Sequence, residues 1–183
     1  RIGKLMPKGK IVTIPMDDGL LDGPVGGLKD MRTKVKEIAA AQPDAILGFL
    51  GPWKQCREDI GDIAYVLNLT ASTKYSSNPQ EKIQIYSVEQ AVALGVSGVA
   101  VHLNVGSVHI HDELKILGRV CAEAYIVGLP VMAIAYPRGE QIREDGLVQA
   151  TCYAARLAAE AGADIVKTKY VGGKDAFAEV VAG

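Results

Sequence analysis

The sequence predicts an α/β fold in which parallel strands alternate with helices, as in a (β/α)₈ TIM barrel. Short apolar runs alternate with longer amphipathic runs along the chain, and glycines stand between predicted helices and the strands that follow them. Strands that are apolar throughout are typical of a parallel sheet covered on both faces, either doubly wound or closed into a barrel. The nucleotide-binding motifs GxGxxG, after the first strand, and GxxxxGK[ST] do not occur, which favours the barrel.

The predicted elements form six strand-then-helix units. The predicted strands are residues 10–16, 45–50, 65–70, 98–103, 130–136 and 163–167, and the predicted helices are residues 29–41, 88–94, 112–127, 147–161 and 175–181. Asp17-Asp18-Gly19 closes the first strand and Gly51-Pro52 the second. Ser87 is the expected N-cap of the helix over 88–94. Gly128 and Gly162 are expected left-handed helix stops.

The composition describes one domain, which we expect to cover residues 1–183. Of these residues 49% are hydrophobic, and 20 basic against 21 acidic side chains give a net charge of −1, which argues against a nucleic-acid binder. No apolar stretch approaches the roughly 18 residues of a membrane span, and the N-terminus does not resemble a signal peptide. Three cysteines without CxxC spacing suit a reducing cytoplasm.

The pair His109 and His111 allows two interpretations. Both rings could lie on one face of a strand and bind zinc, but no third ligand is suitably spaced. The favoured interpretation is two solvated polar residues that precede a helix starting near Asp112.

Polar residues stand at the ends of four predicted strands. In a parallel α/β fold reactive groups lie at these carboxyl ends, so we expect the side chains to converge. They are Asp17 and Asp18, His102 and Asn104, Tyr136 and Arg138, and Lys167 and Lys169.

Lys167 is the most informative of these residues, because it ends an apolar run in which a charged amine is costly to bury. Burial of an amine beside a second cation, here Lys169, favours a nucleophile toward carbonyl groups. The alternative is a strand-end lysine that reaches solvent.

Tyr136 is either a general acid/base or an aromatic side chain packed on the rim. Neighbours on a strand point to opposite sides, so at most one of Asp17 and Asp18 should face the centre.

Four motifs at the strand ends occur in the order typical of archaeal-type class I aldolases, and the sequence resembles this family over essentially its whole length. The motifs are Pro15-Met16-Asp17-Asp18-Gly19, His102-Leu103-Asn104-Val105-Gly106-Ser107, Tyr136-Pro137-Arg138-Gly139, and Gly162-Ala163-Asp164-Ile165-Val166-Lys167-Thr168. The family includes class I fructose-bisphosphate aldolase and 2-amino-3,7-dideoxy-D-threo-hept-6-ulosonate synthase.

The resemblance implies a role for each matching residue. Lys167 matches the lysine that forms the Schiff base with the ketose or dihydroxyacetone-phosphate carbonyl. Tyr136 matches the tyrosine that moves protons at carbon, and Asp17 the aspartate that assists carbinolamine formation and dehydration. Such chemistry needs an amine and a proton shuttle, with no metal and no cofactor. Asp18, His102, Arg138 and Lys169 are the expected substrate-binding residues.

Three departures from the family pattern refine the expectation. Asp18 replaces the usual His or Gln, which adds negative charge and favours an amine-bearing partner or a protonated Lys169. Ile134 stands where the fructose-bisphosphate enzymes carry Trp, and residues 102–107 are also nearer the heptulosonate-synthase pattern. A full barrel takes about 250 residues, whereas six βα units of roughly 30 residues take about 180. We therefore expect the last two units, with their phosphate-binding loops, to be missing.

The leading hypothesis is a biosynthetic, metal-independent Schiff-base aldolase or transaldolase. It would join a fragment of a phosphorylated ketose to an aldehyde such as aspartate semialdehyde, in the cytoplasm and as a homo-oligomer, without nucleic acid or membrane. Glycolytic fructose-bisphosphate cleavage is the close alternative. More distant are a thiolase-like use of the lysine and a non-catalytic assembly subunit that covers its open sheet edges with a partner.

Overall fold

The computed structural model describes residues 2–6 and 9–183, and these contain eight strands and seven α-helices. The strands are β1 (Thr13–Pro15), β2 (Ala45–Gly48), β3 (Ala64–Asn68), β4 (Thr70–Ala71), β5 (Ile83–Gln84), β6 (Gly98–Asn104), β7 (Val131–Tyr136) and β8 (Ile165–Lys167). The helices are α1 (Asp18–Asp22), α2 (Met31–Ala40), α3 (Leu50–Ile60), α4 (Val88–Ala93), α5 (Ile110–Val127), α6 (Leu147–Glu160) and α7 (Gly173–Ala182).

Six strands form one sheet in the order β1-β2-β3-β6-β7-β8, and every neighbouring pair is parallel. Each of these strands is followed by a helix, so the six predicted βα units are present. Within the described residues β1 and β8 are the edges of this sheet. Completion of the barrel by two further units stays a prediction.

Alternate strand residues build two separate apolar layers, because successive side chains in a strand point to opposite faces. One face packs against the helices through residues such as Tyr65 and Leu103. The other face buries a smaller cluster made of Leu5, Ala45, Leu47, Val66, Ala100, Met132 and Ile134. The second face is the one that continues into the polar strand ends, and therefore it determines where the site lies.

Two expected boundaries are wrong, and both lie at strand ends. Gly51-Pro52 does not close β2; these residues lie in the first turn of α3, where a proline is tolerated because its position needs no backbone N–H donor. β1 ends at Pro15, and the loop expected after it contains α1, which begins at Asp18. The polar loop before α4 also contains a short antiparallel pair, β4 with β5.

The predicted helix ends agree better with the structure. Ser87 caps α4 and forms a capping box with Gln90, whose side chain accepts a hydrogen bond from the Ser87 N–H. Gly128 ends α5 in the left-handed conformation, with a φ of 70°. Gly162, just after α6, also has a positive φ, of 101°.

His109 and His111 lie at the start of α5, which begins at Ile110, two residues earlier than expected. His111 is exposed, and His109 contacts the Asn78 side chain through Nε2 at 2.9 Å. In the described ranges no group of three or more His, Cys, Asp or Glu side chains is placed to hold a metal ion. None of the helices described is long and apolar enough to cross a membrane.

Candidate active site

The carboxyl ends of the parallel strands meet at one edge of the sheet, and the strand register places their polar side chains on one face. His102 on β6 is level with Ile134 on β7, which in turn is level with Lys167 on β8. Tyr136 lies two residues beyond Ile134 and therefore on the same face. These residues line a cavity of about 140 Å³.

Six of the seven predicted site residues line this cavity. They are Asp17, Asp18, His102, Tyr136, Arg138 and Lys167. The seventh, Lys169, does not line it, because β8 ends at Lys167 and the side chain of Lys169 is exposed beyond the strand. The other cations that line the cavity with Lys167 are Lys82 and Arg138.

The ring of Tyr136 contacts two cationic side chains. Nζ of Lys167 is 5.8 Å from the centre of the tyrosine ring, and Cζ of Arg138 is 4.5 Å from it. Contacts of this length with the ring face are favourable for a cation. The lysine amine and the tyrosine are thus held in one part of the cavity.

His102 packs its ring edge-on against Tyr136, with ring centres 5.2 Å apart. Its backbone N–H donates to Oγ1 of Thr70, while Nε2 is buried and has no partner among the described residues. Burial lowers the pKa of His102 to about 3, with further lowering from the nearby cations Lys82 and Arg138. The imidazole is therefore neutral at physiological pH and serves as a hydrogen-bonding group with a free nitrogen.

Asp17 is held at the end of β1 by a neighbour that the sequence did not single out. Nδ2 of Asn68, the last residue of β3, donates to Oδ2 of Asp17 at 2.8 Å. Oδ1 of Asn68 accepts from both the backbone N–H and the hydroxyl of Thr70. Burial raises the pKa of Asp17, although the hydrogen bond from Asn68 and the charge of Lys167 oppose this shift.

Asp18 also lines the cavity, although at most one of the two aspartates was expected to face the centre. The expectation assumed a continuous strand, whereas β1 ends two residues before Asp17 and α1 begins at Asp18. The alternation of a strand therefore does not apply here. Asp18 is exposed, whereas Met16, two residues earlier, is buried.

Backbone contacts between two loops fix the position of Arg138. The Gly106 N–H donates to the Arg138 carbonyl at 2.8 Å, and the Gly106 carbonyl accepts from Gln141. Gly139 has a φ of 123°, and a Cβ atom there would lie 2.1 Å from the carbonyl carbon of Gly106. Glycine is needed at 139 both for this conformation and for this close approach.

Sequence reasoning missed Asn68, Thr70 and Lys82 in the cavity. Asn68 ends a strand, like the residues that were found, and strand-end position would have identified it. Lys82 precedes the short strand β5 outside the main sheet, and only the folded chain brings it to the cavity.

Residues 11–183 match the DeoC/LacD family of aldolases. The chain belongs to this family. It is 36% identical over 181 residues to 2-amino-3,7-dideoxy-D-threo-hept-6-ulosonate synthase of Halobacterium salinarum, which covers 99% of this chain and 68% of the relative. It is 29% identical over 174 residues to 2-amino-4,5-dihydroxy-6-oxo-7-(phosphonooxy)heptanoate synthase of Streptomyces griseus, covering 94% of this chain and 64% of the relative.

The fold is that of Schiff-base aldolases of known structure. A Schiff-base-forming fructose-1,6-bisphosphate aldolase superposes with a TM-score of 0.88 at 26% identity, over 98% of this chain and 74% of the other. An archaeal fructose-1,6-bisphosphate aldolase whose catalytic lysine carries the carbinolamine intermediate superposes with the same score at 25% identity and with the same coverage. The parallel α/β fold, a six-stranded half-barrel similar to the TIM-barrel aldolases, is confirmed, as are the Schiff-base aldolase class and the resemblance to heptulosonate synthases.

Proposed function

We propose that Lys167 is the Schiff-base lysine of a transaldolase or aldolase that acts on a phosphorylated ketose and an aldehyde. The observation that carries this proposal is the placement of the Lys167 amine in one cavity with Tyr136 and Asp17. These three side chains supply the nucleophile, the proton shuttle and the carboxylate that the reaction needs.

The proposed reaction begins when Nζ of Lys167 adds to the ketose carbonyl carbon. Loss of water, assisted by Asp17, leaves a protonated imine. The C–C bond one carbon away then breaks, its electron pair moves into the imine to form an enamine, and Tyr136 takes the hydroxyl proton of the departing aldehyde. The enamine attacks the carbonyl carbon of a second aldehyde, whose oxygen receives the proton, and water releases the product from the lysine.

The relatives support an amino-acid aldehyde as the second substrate. Both synthase names describe a seven-carbon acid with an amino group at C2, and they differ at C7, which is deoxy in one and phosphorylated in the other. An acceptor such as aspartate semialdehyde would provide the carboxylate and the amino group of such a product. The exposed carboxylate of Asp18 in the cavity suits that amino group.

Borohydride reduction tests the proposal. Incubation with dihydroxyacetone phosphate or a ketose phosphate, followed by borohydride, should leave a covalent adduct on Lys167, located by peptide mass spectrometry. Lys167→Met should abolish the adduct, whereas the matched control Lys169→Met should retain it, because Lys169 lies outside the cavity. An adduct that survives in Lys167→Met would refute the assignment.

Fructose-bisphosphate cleavage is the second candidate, favoured by the structural similarity to the aldolases described above. The two activities are separated by their acceptors. A transaldolase should form product faster with aspartate semialdehyde than with glyceraldehyde 3-phosphate when dihydroxyacetone phosphate or a ketose phosphate is the donor, and a glycolytic enzyme should show the reverse order.

We also propose a cytoplasmic homo-oligomer. Cys56 and Cys152 are free thiols, as suits a reducing compartment. Tyr125, Ile126 and Val127 at the end of α5 are 74%, 83% and 52% exposed, which is typical of apolar surface covered in an assembly. Light scattering with size exclusion would give the mass in solution, and a monomer would contradict the assembly.

A further inference from the structure

Lys82 is a buried lysine whose amine has no carboxylate partner among the described residues. It is 6% exposed and lines the same cavity as Lys167 and Arg138. Its Nζ donates one hydrogen bond, of 3.3 Å, to the carbonyl of Pro79. An ammonium group has three donors, so Lys82 has capacity for a further acceptor.

The position of Lys82 is set by contacts from a neighbouring helix and strand. Its backbone N–H donates to Oε1 of Glu113 on α5, and Oε2 of Glu113 accepts from the backbone N–H of Asn104 at the end of β6. Nδ2 of Asn104 donates to the carbonyl of Gln80 at 2.8 Å. The backbone of the segment that carries Lys82 is thus attached at two points to the scaffold of the site, so this segment needs little ordering on binding.

The charge of the cavity favours an anion near Lys82. Burial lowers the pKa of Lys82 and the charge of Arg138 lowers it further, although the carboxylate of Glu113 opposes this shift. The two cations Lys82 and Arg138 therefore repel each other. Three cations, Lys82, Arg138 and Lys167, line it together with the carboxylates of Asp17 and Asp18. A bound oxyanion would relieve the repulsion and accept the unused donors.

Resting on the function proposed above, we propose that Lys82, together with Arg138, binds the carboxylate of the acceptor aldehyde and so determines which acceptors are used. The carboxylate is the anionic group that both synthase products named above share, whereas the phosphate at C7 is present in only one of them. Asp18 would then contact the amino group of the same acceptor. Lys82 would thus recognise the carboxylate of the acceptor, and Asp18 its amino group.

Three related acceptors separate these contributions. Aspartate semialdehyde has both substituents, succinate semialdehyde has only the carboxylate, and 3-aminopropanal has only the amine. With dihydroxyacetone phosphate or a ketose phosphate as donor, Lys82→Met should raise KM for the two carboxylated acceptors by about tenfold to a hundredfold, the effect of losing a charged hydrogen bond. KM for 3-aminopropanal and kcat should change little. Lys82→Arg should recover most of the loss.

Two controls make the result decisive. Lys54→Met, at an exposed position on α3 outside the cavity, should leave all three KM values unchanged. Thermal unfolding reports whether Lys82→Met folds, and Lys82→Gln replaces it if it does not.

An equal rise of KM for 3-aminopropanal would overturn the proposal. The proposal would also be overturned if Lys82→Met changed only the donor concentration needed for borohydride trapping. That result would assign Lys82 to the phosphate of the donor. A wild-type protein that no donor labels would instead refute the proposed function itself, so the two failures can be distinguished.

Discussion

Asn68 donates a hydrogen bond of 2.8 Å from Nδ2 to Oδ2 of Asp17, and this contact joins the ends of β1 and β3 across the intervening β2. Oδ1 of the same amide is occupied by Thr70, so the orientation of Asn68 is determined on both sides. The ionised form of Asp17 is therefore favoured by this neutral donor, together with the charge of Lys167.

The isosteric change Asn68→Asp should raise the pKa of Asp17, because it replaces the donor with a second carboxylate at the same distance. Two adjacent carboxylates share a proton, and their ionisation is shifted to higher pH. The rate of borohydride trapping is followed from pH 4 to pH 8. As the pH is lowered, this rate should begin to fall at a higher pH in the variant than in the wild type. Superimposable profiles would show that Asp17 does not act as a carboxylate in imine formation.

Tyr136→Phe should separate imine formation from proton transfer. Without the phenol, kcat for transfer should fall by about 10² to 10⁴, the usual contribution of a general acid/base. Borohydride should still label Lys167, since the ring beside the amine remains. Stopped assays with and without borohydride measure the two steps. If the variant loses both labelling and turnover, Tyr136 has a structural role instead.

His102 should make stability depend on pH. Its pKa is about 3 in the folded chain against an ordinary value of 6.5, so the unfolded chain takes up the proton first as the pH falls. The contribution of neutral His102 to the free energy of unfolding is fully present above pH 6.5. Below that pH it declines by about 1.4 kcal/mol per pH unit, until His102 also ionises in the folded state. Urea unfolding at pH 7, 6 and 5 measures this slope.

His102→Gln should have a shallower slope than the wild type over that range, because its side chain does not titrate. The control is His111→Gln, at an exposed histidine in the first turn of α5, which should keep the wild-type slope. Parallel slopes in His102→Gln and the wild type would mean that His102 ionises freely in the folded protein.

Gly139→Ala should destabilise the protein by more than about 2 kcal/mol, because a Cβ atom 2.1 Å from the Gly106 backbone forces the two loops apart. Gly118→Ala is the matched control. It lies inside α5 with open space around it, and the same substitution there should stabilise the protein by about 0.5–1 kcal/mol. Thermal unfolding compares the two, and a neutral Gly139→Ala would refute the close contact.

The sequence alone determined the repeating order of strand and helix and the strand ends at which Lys167 and Tyr136 stand. Both follow from local patterns: apolar runs predict the buried strands, and Gly128 or Ser87 predicts a helix end through its own backbone or side-chain chemistry. Position near the carboxyl end of a parallel strand correctly predicted that His102, Tyr136 and Lys167 meet in the cavity. It was not sufficient for Asn104, which ends β6 but does not line the cavity.

Only the tertiary structure decided which side chains meet in the cavity. Lys169 follows the same strand as Lys167 but lies outside the cavity, since the strand stops at Lys167 and its alternation stops with it. Asn68 and Lys82 enter because contacts between residues far apart in the chain, Asn68 with Asp17 and Lys82 with Glu113, hold them there. Such contacts depend on the packing of β3, β6 and α5 together, which no local pattern of residues contains.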